Sequence, residues 1–484
     1  MKRVGSIVAL VVLLGLAATA GASQIPGGND YPEGEVLVLL KVPVSAESVS
    51  AAAFRQALSA SATNVAASAG AQAVSSTPTI AEVTGKDIVL LRSGEKTTEE
   101  LLQALEGNPA VLAASPNYRV YAAQTPNDPG YSNLWGMSAI RAPAAWDRST
   151  GSRGVYAAVL DTGIDYNHDD LADNMGRDLN GHLGKDILNN DDDPMDDNGH
   201  GTHVAGIIGA VGNNGIGVAG VNWEVSLLAV KVLDDEGLGD IYNLVSGLEY
   251  VTDQKRRGLN IRVANMSLGV WLNRSISNDA AAINAMNTAC EAVSNRGVIL
   301  AVASGNEYQD ISNPGGILSN PDDLLADYRD KLPYPASFRH SNMITVTAIN
   351  SSYRRPDFAN YSSRYVHLAA PGVGIWSTYH NGEYKEMNGT SMATPYVAGA
   401  AALLSAMFPS ESAGQIRSRI LGNVKRTNNL SDIVSTEGYL DIQAAVANET
   451  PSSGGGGGCN TAGEAVPAVA LLLFPLGLLM KRKK

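Results

Sequence analysis

The apolar positions divide the chain into four stretches. The first, Ile7–Ala18, is an almost unbroken apolar run behind Lys2 and Arg3, and it ends among small residues, Ala18-Thr19-Ala20 and Ala20-Gly21-Ala22. That order predicts a cleaved export signal over residues 1–22, the run being short for a membrane anchor. The second stretch begins with Glu35–Val42, strongly apolar with little alternation, which predicts a buried strand. Ala46–Val74 is rich in alanine and serine and reads as helical in part. Ile88–Leu91 reads as a strand, and Thr97–Leu105 as a helix that Thr97 and Thr98 start. Val111–Tyr121 closes a small two-layer α+β domain spanning residues 23–123.

Pro126-Asn127-Asp128-Pro129-Gly130 then breaks the chain with turn formers. Over residues 124–449 short apolar strands alternate with helical patterns. Tyr156–Leu160, Leu227–Val232, Arg262–Met266, Val298–Ala303 and Met343–Ile349 read as strands, with helices such as Ile241–Gln254 and Ala280–Ser294 between them. This alternation predicts an α/β fold, a parallel sheet with helices on both faces. Residues 450–484 form a tail: Pro451-Ser452-Ser453, glycines 454–458, Cys459, the mostly apolar Val466–Met480 and a basic end, Lys481-Arg482-Lys483-Lys484. The apolar part is short beside a membrane span of about 20 residues, but the basic flank is the one an inserted segment carries.

Composition adds little to the fold and more to the partners. The chain has 484 residues, 50 of them glycine, and a formal net charge of −13, which argues against nucleic acid as a partner. It has two cysteines, Cys290 in an alanine-rich helical pattern and Cys459 in the tail, so no disulfide scaffold is expected.

Three short segments carry chemistry. They are Val159-Leu160-Asp161-Thr162-Gly163, His200-Gly201-Thr202-His203-Val204 and Gly389-Thr390-Ser391-Met392-Ala393. Singly each is weak, since a serine before a helix is usually a cap. In the order Asp, His, Ser they are specific. A serine hydroxyl is a poor nucleophile until a base takes its proton, and imidazole titrates near neutrality. A buried carboxylate would fix the tautomer of that imidazole and stabilise its cation. Ser391 opens a small-residue helix whose free N–H groups suit a developing oxyanion.

These motifs resemble the subtilisin family, over about Pro126 to Ala447, and the triad template is taken over from that family, not worked out from spacing. The resemblance implies a serine endopeptidase acting on protein or peptide substrates, with Asp161, His200 and Ser391 as its triad and His203 structural. Ala301-Val302-Ala303-Ser304-Gly305-Asn306 resembles the stretch whose asparagine donates to the oxyanion. Ser267, Leu268 and Gly269, and Gly237 and Gly239 with Leu238 between them, match segments flanking an extended substrate. Tyr334-Pro335 matches a position near the specificity pocket and is a candidate cis bond, and the 27 residues between Asn306 and Tyr334 are an insertion beside that pocket.

Two calcium sites are expected. One lies in the acidic run from Asp186 to Asp197, with Asp186, Asp191 and Asp193 as ligands. The other combines Asp128, Asp170 and Asn214 with carbonyls of residues 211–218. Pro116-Asn117-Tyr118-Arg119-Val120 resembles the end of an inhibitory propeptide, which implies self-cleavage near Ala122 to Gln124. The tail resembles glycine-rich bacterial sorting signals, hence an exported or envelope-anchored enzyme. The competing reading is a catalytically silent member of the family used for binding. An α/β-hydrolase esterase is excluded, because its Ser elbow precedes Asp and His, whereas both partners precede Ser391 here.

Overall fold

A computed structural model describes residues 31–118, 125–314 and 328–447. The expected export signal, the expected cleavage site and the sorting tail lie outside the described residues, as do residues 315–327 of the insertion.

In the N-terminal domain, strands Gln72–Ser75, Lys86–Arg92, Glu35–Lys41 and Val111–Pro116 form, in that order, an antiparallel sheet. Helices Ala51–Ala69 and Thr98–Leu105 pack against it through Ala62, Val65, Ala66, Leu101 and Leu105. Glu35–Lys41 forms the expected buried strand, with Val36, Val38 and Leu40 buried and Leu37 and Leu39 half-buried. A sheet with its apolar core on one face buries alternate residues even where the sequence does not alternate. The Ala46–Val74 stretch is helical in part, as expected, over Ala51–Ala69. Its helix is capped by Ser50, ends at Gly70 in the left-handed region (φ +72°), and is followed by the strand Gln72–Ser75. A further helix, Pro78–Thr84, was not expected, and the last strand stops at Pro116, short of Tyr121.

The larger domain is built on a nine-stranded sheet. Its order is Lys425–Arg426, Gly438–Tyr439, Leu368–Pro371, Met343–Ile349, Ile299–Ala303, Ile261–Met266, Gly151–Asp161, Glu224–Lys231 and Gly184–Asp186. All neighbours are parallel except the first pair. Central strands are buried on both faces. Ala157 and Val159 belong to one core with helices His200–Gly209 and Thr390–Met407. Ala158 and Leu160 belong to the other, with helices Ile241–Arg256 and Ser277–Asn295. Cys290 is buried in that second core as a small apolar residue.

The Thr390–Met407 helix is buried over nearly its whole length, which its small residues permit. A Cβ on Gly399 would lie 2.7 Å from the Val221 side chain, so Gly399→Ala should overpack the core by about 1–3 kcal/mol. Parallel strands place all their carboxyl ends on one edge. Asp161, Ser267 and the segment after Ala303 therefore meet where the His200 and Ser391 helices begin.

Candidate active site

Asp161 is the last residue of the long central strand and is fully buried. Its Oδ1 accepts the Thr162 N–H at 2.8 Å and lies 2.6 Å from His200 Nδ1. Glycines allow this approach. A Cβ on Gly201 would sit 2.1 Å from the Gly163 carbonyl oxygen, and Gly199, at φ +102°, has the Tyr379 ring where a side chain would go. The His200 side chain remains 22% exposed. Burial alone would push its pKa down, but the charge and hydrogen bond of Asp161, with Asp196 behind it, outweigh that and move it above the ordinary value. With Nδ1 on a carboxylate, the ring presents Nε2 as the basic nitrogen.

His203, one turn on, is fully buried, and its Nε2–H donates to the carbonyls of Ile375 and Lys385, both at 3.0 Å. Burial, with the neighbouring His200 charge, lowers its pKa to about 4. It is a neutral staple between the His200 helix and the hairpin formed by Ile375–Tyr379 and Glu383–Met387.

Ser391 is the second residue of its helix, behind Gly389, whose φ of +155° favours glycine. Its hydroxyl donates to the Ser267 carbonyl at 3.3 Å and not to His200, while the Ser267 hydroxyl donates to the Ser391 carbonyl at 2.9 Å. Contacts between a nucleophile and its base are often loose before substrate binds. Asn306 is exposed, and its Oδ1 accepts both the N–H (2.9 Å) and the hydroxyl (3.1 Å) of Thr390.

Ser267, Leu268 and Gly269 leave the sheet beside Ser391 and run into Val270–Leu272, which pairs with Leu332–Tyr334. Gly237 (φ +77°) and Gly239 flank the exposed Leu238 before the helix Ile241–Arg256. The Tyr334-Pro335 bond is cis, and the buried Tyr334 hydroxyl accepts from Arg274.

Of the expected calcium ligands, Asp128, Asp170 and Asn214 are brought together. Asp128 accepts the N–H groups of Asn213 (2.7 Å) and Asn214 (3.3 Å), and Asp170 accepts the Asn214 side-chain amide at 2.8 Å. Both carboxyls are buried, and burial raises both above the ordinary carboxylate range, with the Asp128 charge adding to the rise at Asp170. Adjacent buried carboxylates are hard-oxygen groups of the kind that suits Ca²⁺, while the Asn214 amide nitrogen faces Asp170 and its oxygen accepts the Ile216 N–H at 3.0 Å. The acidic run is arranged differently. Asp186 holds the Asn189 backbone and side chain, Asp193 accepts the Tyr166 hydroxyl at 2.6 Å, and Asp191 accepts the Asp193 N–H at 3.0 Å. Among the described residues no three acidic, histidine or cysteine side chains gather as a metal site.

Residues not singled out from sequence complete the picture. Asp196, a member of the acidic run, is buried and accepts hydrogen bonds from Thr162, Gly199 and Thr202. Lys231, the register partner of Asp161, is buried and donates to the Thr162 and Leu233 carbonyls and to Asp197. An Asp-x-Asn-Gly turn before a helix is a capping signal, and this is where Asp196 was legible.

Comparison with known proteins agrees with this geometry. A sequence model of the Subtilase family matches residues 152–439. The chain is 36% identical over 376 residues to the thermophilic serine proteinase of Bacillus sp. (strain AK1), covering 78% of each. It is 37% identical over 297 residues to thermitase of Thermoactinomyces vulgaris, covering 61% of this chain and 90% of that one. It is 39% identical over 286 residues to subtilisin Savinase of Lederbergia lenta, covering 59% and 89%.

Proposed function

The chain belongs to the subtilase family of serine endopeptidases, and from that premise we propose an exported precursor that frees itself from its N-terminal domain and then cleaves extended protein segments. Ser391 attacks the scissile carbonyl, and His200 takes its proton through Nε2. Asp161 holds the ring and the cation that forms on it. The oxyanion meets the free N–H at the start of the Ser391 helix and the side-chain N–H of Asn306. As the tetrahedral intermediate collapses, the scissile C–N bond breaks and His200 gives its proton to the leaving amine. Water then attacks the acyl-enzyme with His200 as base again, freeing the carboxyl product and restoring the Ser391 hydroxyl. Ser267–Gly269 and Gly237–Gly239 pair with the substrate backbone on either side. Asp128, Asp170 and Asn214 hold a calcium ion that braces the loop at residues 211–218 and takes no part in bond cleavage. The tail anchors the protein at the cell envelope or is removed there.

The observation that carries this reading is the 2.6 Å contact between Asp161 and His200 at the mouth of a sheet edge that Ser391 shares. A silent binding protein would have no use for that pair together with Ser391 and Asn306. The test is labelling by a serine-directed phosphonylating reagent: Ser391 should react, and no other serine. Equal labelling of His200→Ala would sink the assignment of His200 as base.

A further inference from the structure

We propose that Asp196 is a positioning residue for the Asp161–His200 pair, setting the distance between the end of the strand and the start of the helix. The proposal rests on the roles just given to Asp161, His200 and Ser391.

The helix that carries His200 lacks an ordinary cap. Its N-cap is Gly199, which has no side chain to accept the free N–H groups of the first turn. The His200 N–H donates to the Asn198 side-chain oxygen at 3.1 Å, and the next two donors find partners beyond that residue. The Gly201 N–H donates to the Thr162 hydroxyl at 2.9 Å, and the Thr202 N–H donates to Asp196 Oδ2 at 2.9 Å. The Thr162 hydroxyl in turn donates to Asp196 Oδ1 at 2.8 Å, while the Thr162 N–H holds Asp161. Thr162 and Asp196 thus cap the helix from the strand side, and the backbone of Thr162 also seats the carboxylate that His200 faces.

Asp196 accepts three further donors, the N–H groups of Asn198 (3.0 Å) and Gly199 (2.9 Å) and the Thr202 hydroxyl (2.5 Å). A turn residue that merely closed its own loop would need only the first two. The bonds to Thr162 and Thr202 join the two segments that carry the pair. Next to it, Asp197 balances Lys231, whose ammonium holds the Thr162 carbonyl at 2.7 Å, so consecutive aspartates fix Thr162 from two sides. The charged or titratable groups around His200 are Asp161 and Asp196, the Lys231–Asp197 pair beyond Thr162, neutral His203 a turn along, and, from the packed hairpin and its turn, Tyr379 with Lys385 against it and His380 against Gly199.

The test uses the purified full chain with Asp196→Asn, Thr162→Val and Thr162→Ser. Melting temperature, kcat and KM on a chromogenic peptide, and the pH profile of Ser391 phosphonylation are measured for each. Asp196→Asn and Thr162→Val should lose about tenfold to 10²-fold in kcat with KM changed by less than about twofold, the size expected for a small misplacement of reacting groups. Their acid limb should move to lower pH, because the imidazolium loses support, and Thr162→Ser should restore both values. If Asp196→Asn is recovered unfolded, Thr162→Val carries the test. A folded Asp196→Asn protein with wild-type kcat and an unmoved acid limb overturns the proposal. Failure of the wild type to be labelled at Ser391 overturns the underlying reading instead, so the two failures are distinct.

Discussion

The side-chain oxygen of Asn306 accepts both donors of Thr390, and this turns its amide nitrogen toward Gly389 and the approach to Ser391. The orientation is fixed by chemistry, since an NH₂ group cannot receive an N–H and an O–H. A donor held in place before substrate arrives costs no reorganisation when the oxyanion forms. Asn306→Ala should therefore lower kcat by on the order of 10²–10³-fold, the figure measured for subtilisin itself. KM should hardly change, because the contact is made in the transition state. Steady-state kinetics on protein counted by Ser391 labelling check this, and a parallel rise in KM would place Asn306 in substrate binding instead.

A second expectation concerns acid. His203 and His367 are buried neutral, with pKa values lowered to about 4 and about 3, burial being the main cause in each. A histidine whose folded pKa lies below its unfolded value of about 6.5 leaves the unfolded chain binding more protons in between, so stability rises with pH there. Stability should thus be full above about pH 6.5 and fall toward pH 4, by roughly 3 kcal/mol for His203 alone. Melting curves of protein blocked at Ser391, which removes autolysis, measure this. His203→Gln keeps a donor for the Ile375 and Lys385 carbonyls but cannot titrate, and its curve should be flatter over this range. An equally steep curve would assign the acid sensitivity elsewhere.

Chelation should act on stability more than on turnover. Asp128, Asp170 and Asn214 join the segment before the first helix of the large domain to the loop at residues 211–218, and Tyr384 of the hairpin also reaches Asp170, at 3.2 Å. None of them touches Asp161, His200 or Ser391. An ion that binds only the folded chain stabilises it in proportion to the logarithm of its free concentration over its dissociation constant. Excess chelator should lower the melting temperature of the wild type and leave Asp170→Asn nearly unmoved. An unchanged wild-type melting temperature would remove this site from the account.

Much of this was legible in the sequence, for physical reasons that also mark where legibility ended. Met343–Ile349 and Leu227–Val232 read as strands because a parallel sheet covered on both faces needs unbroken apolar runs. Glu35–Lys41 carries the same kind of run yet is buried on one face only, since nothing in a single strand's pattern reports how many layers will cover it. Asp161, His200 and Ser391 stood out because short motifs surround them. The links among Thr162, Asp196 and Lys231 did not, because Thr162 and Asp196 lie 34 residues apart and Thr162 and Lys231 lie 69 apart, and only folding brings them together. Gln72–Ser75 was not separated as a strand within the partly helical Ala46–Val74 stretch, although the helix stop at Gly70 is the signal that divides them.

The last prediction is maturation. Ser391→Ala should accumulate as a protein that retains residues from about 23 to 123, because in this reading the precursor's own site makes the cut. The N-terminal sheet and its helices have their own core around Val36, Val38, Leu91 and Leu101. Its final strand, Val111–Pro116, leads through Asn117 and Tyr118 directly toward the residues where the cleavage is expected. A bond tethered in this way is an intramolecular substrate, so a high effective concentration lets even a slow precursor cleave it. The released domain should stay bound until it is degraded, and the same segment added separately should inhibit the mature enzyme. Mass spectrometry of wild-type and Ser391→Ala protein, made in a host without other exported proteases, reads the N-terminus of each. Normal processing of Ser391→Ala in that host would exclude self-maturation, and a separate processing enzyme would then have to make the cut.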